Sequence, residues 1–423
     1  MERLSATFRS LRYPNFRLYF IGQSLSLIGT WMERISVNWL VYSLTHSALM
    51  LGVVNFAGQI PTLILSPYGG AISDRHNRYK VLLTTQICAM VQATVMAVLV
   101  LTHTYHLLTI IILSAILGVV NAFDTPARQS LMIKLIDDKK DLQNAIALNS
   151  SMVNLARMLG PAVAGILLTT VGTGICFLLN AISFIAVIVS LLLMKLPPME
   201  VKKTTQTVWQ NLQQGWDYLR HEKNMQLMIL LMACTSFFVM SYSTLMPVFA
   251  KDVFKGDAGT YSMLNSISGL GALFGAVYMA SLKNTLHIKR VVIYASILCG
   301  LSIALFALCH SFWLALLFMM PSGMGMMMQI AGTNTFIQTT VADDMRGRVI
   351  SYYVMAFQGM QPLGSFVAGL AAHHASAQTV LFTQGAIGVV TAIAFGLLFQ
   401  RMRNQEINRN KETTSVLENA NSV

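Results

Sequence analysis

Long apolar runs recur along this chain, separated by short polar stretches. A helix crossing a hydrocarbon layer of about 30 Å needs about 20 mostly apolar residues. Twelve segments satisfy that requirement, at roughly 16–43, 48–72, 79–102, 106–127, 141–170, 173–195, 225–250, 258–281, 289–309, 312–337, 346–373 and 378–401. The pattern predicts an all-α membrane protein. Its longest internal polar connection, 196–224, divides the segments into two sets of six, giving domains 1–195 and 225–401. The polar tail 402–423, rich in Asn, Glu and Lys, reads as disordered. Within the connection Val208, Trp209, Leu212, Trp216 and Leu219 recur at helical spacing. This predicts an amphipathic helix, either lying on the inner leaflet or docked on the protein's own cytoplasmic face.

Charge changes the picture next. Apolar residues make up 55% of the 423 and charged ones 11%, far below the roughly 25% of soluble domains. Of the 29 lysines and arginines, Arg34, Arg128 and Arg157 fall within or at the ends of segments, and Lys251 and Lys255 fall in odd-numbered loops. The other 24 lie at the termini or in even-numbered loops, which predicts that both termini face the cytoplasm. The net charge of +12 is thus spread as a topology signal and not as a nucleic-acid patch. Arg3, Arg9, Arg12 and Arg17 precede the first apolar run, which argues against a cleavable signal peptide. The five cysteines fall in apolar segments without metal-ligand spacing and read as small core residues.

The halves echo one another. Leu135–Asp138 before the fifth segment resembles Val341–Asp344 before the eleventh, and Val-Ala-Gly follows each, at 163–165 and 367–369. Parallel repeats of this kind place a substrate site between halves near the midplane.

Charges inside hydrocarbon cost at least about 2.5–3.5 kcal/mol each and need a partner or a wet cavity. In the first segment Gln23, Ser26, Thr30 and Glu33 share a helical face, predicted to line the central cavity. Glu33 is either a proton carrier or half of an ion pair with Arg157 or Arg34. In the fifth segment Ser150, Asn154, Arg157 and Pro161 share a face. Arg157 either holds an anionic or hydroxyl-rich substrate, tunes Glu33, or ties the helix to a neighbour. Further cavity candidates are Trp31, Asn38, Asn55, Gln59, Tyr242 and Gln358, each of which can equally be an interhelical hydrogen-bonding residue.

Between the second and third segments lies Gly69–Lys80, GGAISDRHNRYK, too charged to sit in hydrocarbon. It resembles the signature loop of the major facilitator superfamily, G-x-x-x-D-R-x-G-R-x-[RK]. Gly70, Asp74, Arg75 and Arg78 match, while Asn77 stands where that family usually has glycine. Phe123–Gln129, Asn144–Asn149, Asn154–Gly165, and Arg346–Val349 with Met355–Gly359 also resemble the drug:proton antiporter branch that includes the enterobactin exporter and the macrolide efflux pumps. The resemblance runs from Phe16 to about Arg401 and implies two pseudo-symmetric six-helix bundles in the bacterial inner membrane. It implies a secondary transporter exporting small amphipathic molecules, drug-like compounds or a siderophore, by proton antiport and alternating access. A narrow siderophore or metabolite exporter is the alternative. No cofactor is implied beyond the proton gradient, and a monomer is the default for the fold. By resemblance Asp74, Arg75, Arg78, Asp124 and Arg128 form a charge network latching the inner gate, and Gly160, Pro161 and Gly165 belong to an antiporter motif.

An intramembrane enzyme is disfavoured, because the sequence has no HExxH, no GxSxG and no paired intrahelical aspartates, so no catalytic residue is assigned. His373 and His374 alone make a poor metal site. Without a GxxxxGK[ST] loop, energy is expected from an ion gradient.

Overall fold

A computed structural model describes residues 8–196, 208–282, 287–342 and 345–421, and the side chains of these apart from Asp74, Lys139 and 406–421. A 3-10 turn, Arg9–Arg12, leads into α1 (Pro14–Thr45), whose Pro14 sits in the first turn where no helical N–H is lost. There follow α2 (Ala48–Arg75), α3 (Arg78–Leu101), α4 (Leu107–Lys134), α5 (Lys139–Thr170) and α6 (Thr173–Leu193). After the amphipathic α7 (Val208–Leu219) come α8 (Lys223–Phe238), α9 (Ala258–Ser281), α10 (Ile288–Ala307), α11 (Phe312–Thr340), α12 (Arg346–Val354), α13 (Met360–His374) and α14 (Ala377–Asn421). Among the described residues, 10 helical stretches are long and apolar enough to cross a membrane. The remaining two predicted segments are helical too. One is α1, with Glu33 and Arg34 near its middle, and the other is the α12–α13 pair.

Two predicted segments are less regular than their hydropathy suggests. Beyond α8 the chain narrows into a 3-10 stretch, Met240–Leu245, and then a π turn at Phe249–Val253. Between α12 and α13 another π turn, Met355–Gly359, lies just before Pro362, which has no N–H to return to residue 358. At the opposite extreme, α14 stays helical to Asn421, where composition suggested a disordered tail. Extending an existing helix needs no new nucleus, and Glu, Lys, Arg and Gln are good helix formers.

α1–α6 pack as one half and α8–α14 as the other, with α2 against α4, α1 against α6, and α9 and α10 against α11. The halves meet most extensively through two helix pairs, α5 with α9 and α2 with α13. Glycine makes both meetings possible. A Cβ on Gly165 would stand 2.7 Å from Ser262 Cβ, and one on Gly369 would stand 2.6 Å from the Ala48 carbonyl. These are the glycines of the two Val-Ala-Gly echoes, so the repeat seen in sequence places equivalent contacts on the two sides of the molecule.

Contact between the halves is uneven along the helices. The loops at 45–48, 252–253, 310 and 372–378 gather around one cavity, defining what we call the far face. Close approaches between halves lie there or at mid-helix: Gly52 with Ser365, Gly165 with Ser262, Gly269 with Met158. Near the opposite, terminal face, Gly70 on α2 and Gly347 on α12 have open space where a Cβ would stand.

The signature loop is short. Its Asn77 caps α3, accepting from the backbone N–H groups of Tyr79 and Lys80, so the residue that departs from the family glycine serves as an N-cap. Asp141 pins the amino terminus: Arg9 and Arg12 reach it at 3.0 and 2.6 Å, and Tyr13 donates to it at 2.9 Å. α7 docks on α12, with Gly215 against Arg348 and Tyr352, and with the Tyr352 hydroxyl donating to the Leu212 carbonyl at 2.9 Å. Leu219 at the end of α7 is buried, while Trp209 and Trp216 remain exposed. The first seven residues, and 197–207 of the linker, lie outside the described residues. Of the cysteines, Cys176, Cys299 and Cys309 are buried as expected for core residues, and Cys88 is exposed on α3.

Candidate substrate cavity and charge networks

Three residues of α1, Trp31, Arg34 and Asn38, follow at helical spacing on a face distinct from that of Glu33. Trp31 is flanked by two cations: the guanidinium carbon of Arg34 lies 5.5 Å from its ring centroid and that of Arg157, on α5, 5.1 Å. The close seating of α5 against α1 follows from Gly160, where any Cβ would run into Trp31 and the Ile28 carbonyl. Nε and Nη1 of Arg157 are buried without a hydrogen-bond partner. Tyr242 and Tyr261, from the second half, are buried. The Tyr242 hydroxyl shares a hydrogen bond with Ser268 at 2.9 Å. Asn38 donates to the Arg34 carbonyl and accepts from Asn55 at 2.7 Å, and Gln59 donates back to the Asn55 carbonyl. Asn154 is buried and bonds to Ser150 within its own helix, and Gln358 is exposed on the π turn.

Glu33 points elsewhere. Its carboxylate accepts from Asn180 of α6 and, at 3.4 Å, from Gln92 of α3. Among the described residues it makes no ion pair, either with Arg157 or with Arg34. The polar face of Gln23, Ser26 and Glu33 is buried inside the first half, because Gly22 and Gly29 on that side let α6 in against Ser190 and Ser183. Gln23, expected in the substrate cavity, instead accepts from Arg128 at 3.3 Å. Helical spacing identified a common face but not the neighbour that covers it.

At the far face the halves are tied by polar and aromatic contacts. Tyr42 of α1 donates to Asp252 on the π turn after α8. Trp39 stacks on Tyr261 of α9 at 6.1 Å, and the Lys251 ammonium sits 5.8 Å from the Trp39 ring. Beyond this seal lies a cavity of about 720 Å³ lined by His46, Asp252, His310 and His373 among others. Sequence reading missed Asp252, Tyr261, Asn180 and Gln92. Only Lys251-Asp252 carried a signal, as part of the charged stretch 251–257 among odd-numbered loops otherwise without lysine or arginine.

Toward the terminal face, Asp124 is nearly enclosed. It pairs with Arg128 at 3.2 Å and accepts from Gln86 at 2.6 Å and Thr85 at 3.1 Å. Arg78 donates to the Ser73 carbonyl at 3.2 Å, and Arg75 is exposed. The Asp74 side chain, the remaining member expected in this network, lies outside the described residues. The motif of α5 has two roles in packing: Gly160 seats the helix on α1, and Gly165 seats it on α9, with Pro161 between them.

Two helical halves related by repeat, joined at the far face and at mid-helix around a polar centre, have the architecture of a major facilitator transporter. The sequence profile of the transmembrane secretion effector family matches residues 5–420, and the chain belongs to that family. It is 29% identical to the staphyloferrin A transporter of Staphylococcus aureus over 84% of this chain and 89% of that protein. It is 21% identical to macrolide efflux protein A of Streptococcus pyogenes over 90% and 96%. A solved nucleoside transporter, NupG in a point-mutant form, superposes with a TM-score of 0.74 over 92% of this chain and all of that one, at 16% identity. The protein is therefore an efflux transporter of the major facilitator superfamily, and not an enzyme.

Proposed function

We propose that this transporter exports small amphipathic molecules, drug-like compounds or a siderophore, from the cytoplasm in exchange for protons. The bacterial cytoplasmic membrane holds it with both termini inside. The observation carrying this reading is the tie between the halves at the far face, beside a polar centre of Trp31, Arg34 and Arg157. The bias of lysine and arginine toward the terminal face supports a cytoplasmic opening. Alternating access then requires the far-face contacts to break as the terminal face closes.

Glu33 is our candidate proton carrier. A carboxylate met only by two amides can gain or lose a proton without breaking an ion pair, whereas Asp124 is committed to Arg128. Glu33 and Arg34 are consecutive on α1, so a shift of that helix moves the proton site and the cavity wall together. The Asp74, Arg75 and Arg78 loop is assigned to latching the terminal face when the far face opens. A second reading, a narrow siderophore exporter, draws on the staphyloferrin A transporter among the relatives.

Inverted membrane vesicles test both. With an acid-inside gradient, the protein should concentrate unrelated dyes if it is broad. A deletant that retains an iron chelator under iron starvation, and leaves dyes unaffected, points to the narrow exporter. No proton-dependent movement of either kind rejects the proposal.

A further inference from the structure

The charge balance at the centre of the molecule is uneven. Arg34 and Arg157 sit within one indole's reach of each other, half-buried at mid-helix, where an unpaired charge is expensive. Two like charges in one place repel, and the neighbouring acid does nothing to relieve them. Glu33 is turned to Gln92 and Asn180, Asp124 is taken by Arg128, and Asp252 is taken by Tyr42. Among the described residues no carboxylate pairs with either arginine. The indole of Trp31 offers cation–π attraction to both, but a ring face cannot use the in-plane N–H donors of a guanidinium. Those donors are left over: Nε and Nη1 of Arg157 have no partner.

A guanidinium with two nitrogens free to donate can hold an oxyanion through charge-assisted hydrogen bonds. Aromatic and hydroxyl groups lie nearby: Gly269 packs against the Arg157 backbone, the adjacent Ser268 pairs with Tyr242, and Tyr261 stacks on Trp39. Such surroundings suit a flat or apolar body attached to the anionic group. We propose that Arg34 and Arg157 clamp an oxyanionic group of the cargo, a carboxylate or a phosphate, so that this transporter selects organic anions over cations. The proposal rests on the exporter reading and narrows its substrate class. It also gives the exchange a direction: an anion leaving as a proton enters moves negative charge outward, which an inside-negative membrane favours.

The test uses the full chain purified into lipid nanodiscs. Citrate and phenyl phosphate are titrated against their uncharged esters, trimethyl citrate and dimethyl phenyl phosphate, following tryptophan fluorescence and thermal unfolding. At least one anion should bind tenfold or more tightly than its ester, and which of the two does so separates carboxylate from phosphate recognition. Arg157→Gln and Arg34→Gln should each weaken that binding by tenfold or more. Arg157→Lys, which keeps charge but loses the fork, should retain part of it and guards against misfolding of the glutamine variants. Equal binding of anion and ester, no binding of either anion at tens of millimolar, or binding indifferent to the arginines would overturn the proposal. The vesicle assay reports separately on export. Proton-driven dye movement with arginine-independent binding sinks only the anion clamp, and arginine-dependent binding without any transport sinks only the exporter reading.

Discussion

Tyr42 on α1 donates its hydroxyl to Asp252 on the π turn after α8, and this hydrogen bond joins the two halves at the face where they are closed. A hydrogen bond to a charged group contributes about 1.5–3 kcal/mol. Tyr42→Phe removes the donor and leaves the ring, so the population with an open far face should rise at least about tenfold. Labelling of a single cysteine at Asn55 by a membrane-impermeant thiol reagent from outside, in a cysteine-free background, would measure it. Unchanged labelling would mean that the hydrogen bond does not hold the seal.

Glycine contact is the second element of the seal. A Cβ on Gly52 would stand 2.8 Å from the Ser365 carbonyl and 3.3 Å from Gly369 Cα, and backbone cannot move aside as a flexible side chain can. Gly52→Val should therefore prevent α2 and α13 from meeting. Cysteines introduced at Ser47 and Ser376, which line the same far-face cavity, should then cross-link poorly, and transport should stop. Efficient cross-linking in the valine variant would contradict this geometry.

Glu33→Gln preserves size and places an amide between two amides. We expect it to abolish uphill efflux while downhill exchange and ligand binding continue, since the carboxylate does not touch the Trp31 site. Uphill transport retained in this variant would end the assignment of Glu33 as proton carrier.

Asp124 differs from Glu33 because a cation depends on it. Asp124→Ala removes the acceptor of Gln86 and leaves Arg128 with the neutral Gln23 oxygen in place of its counter-charge, and breaking one side of a buried pair costs about 3–5 kcal/mol. Thermal unfolding in detergent should show a clear drop, larger than that for Arg75→Ala, whose side chain is exposed. Equal unfolding temperatures would argue that the Asp124 cluster is solvated.

The inner latch has its own readout. Asp74→Asn should raise labelling of a cysteine near the terminal face by a membrane-permeant thiol reagent, because it weakens the outward-open state. Unchanged accessibility would count against the latch.

Hydropathy and charge spacing along the chain determined much of this protein by themselves. The membrane segments, the division at the long connection and the charge bias toward one face are one-dimensional facts, because hydrocarbon admits few alternatives to long apolar helices. The Val-Ala-Gly echoes likewise marked the helices that join the halves. What only the tertiary structure decided is which neighbour each polar face meets. Gln23, Ser26 and Glu33 share a face with nothing in their spacing to say that α6 covers it; small residues at Gly22 and Gly29 settle that by admitting the partner helix. Arg34, one residue past Glu33, faces another way, toward Trp31 and Arg157. Helical periodicity fixes relative directions around one axis, and the identity of the partner comes from packing against other axes that are distant in sequence.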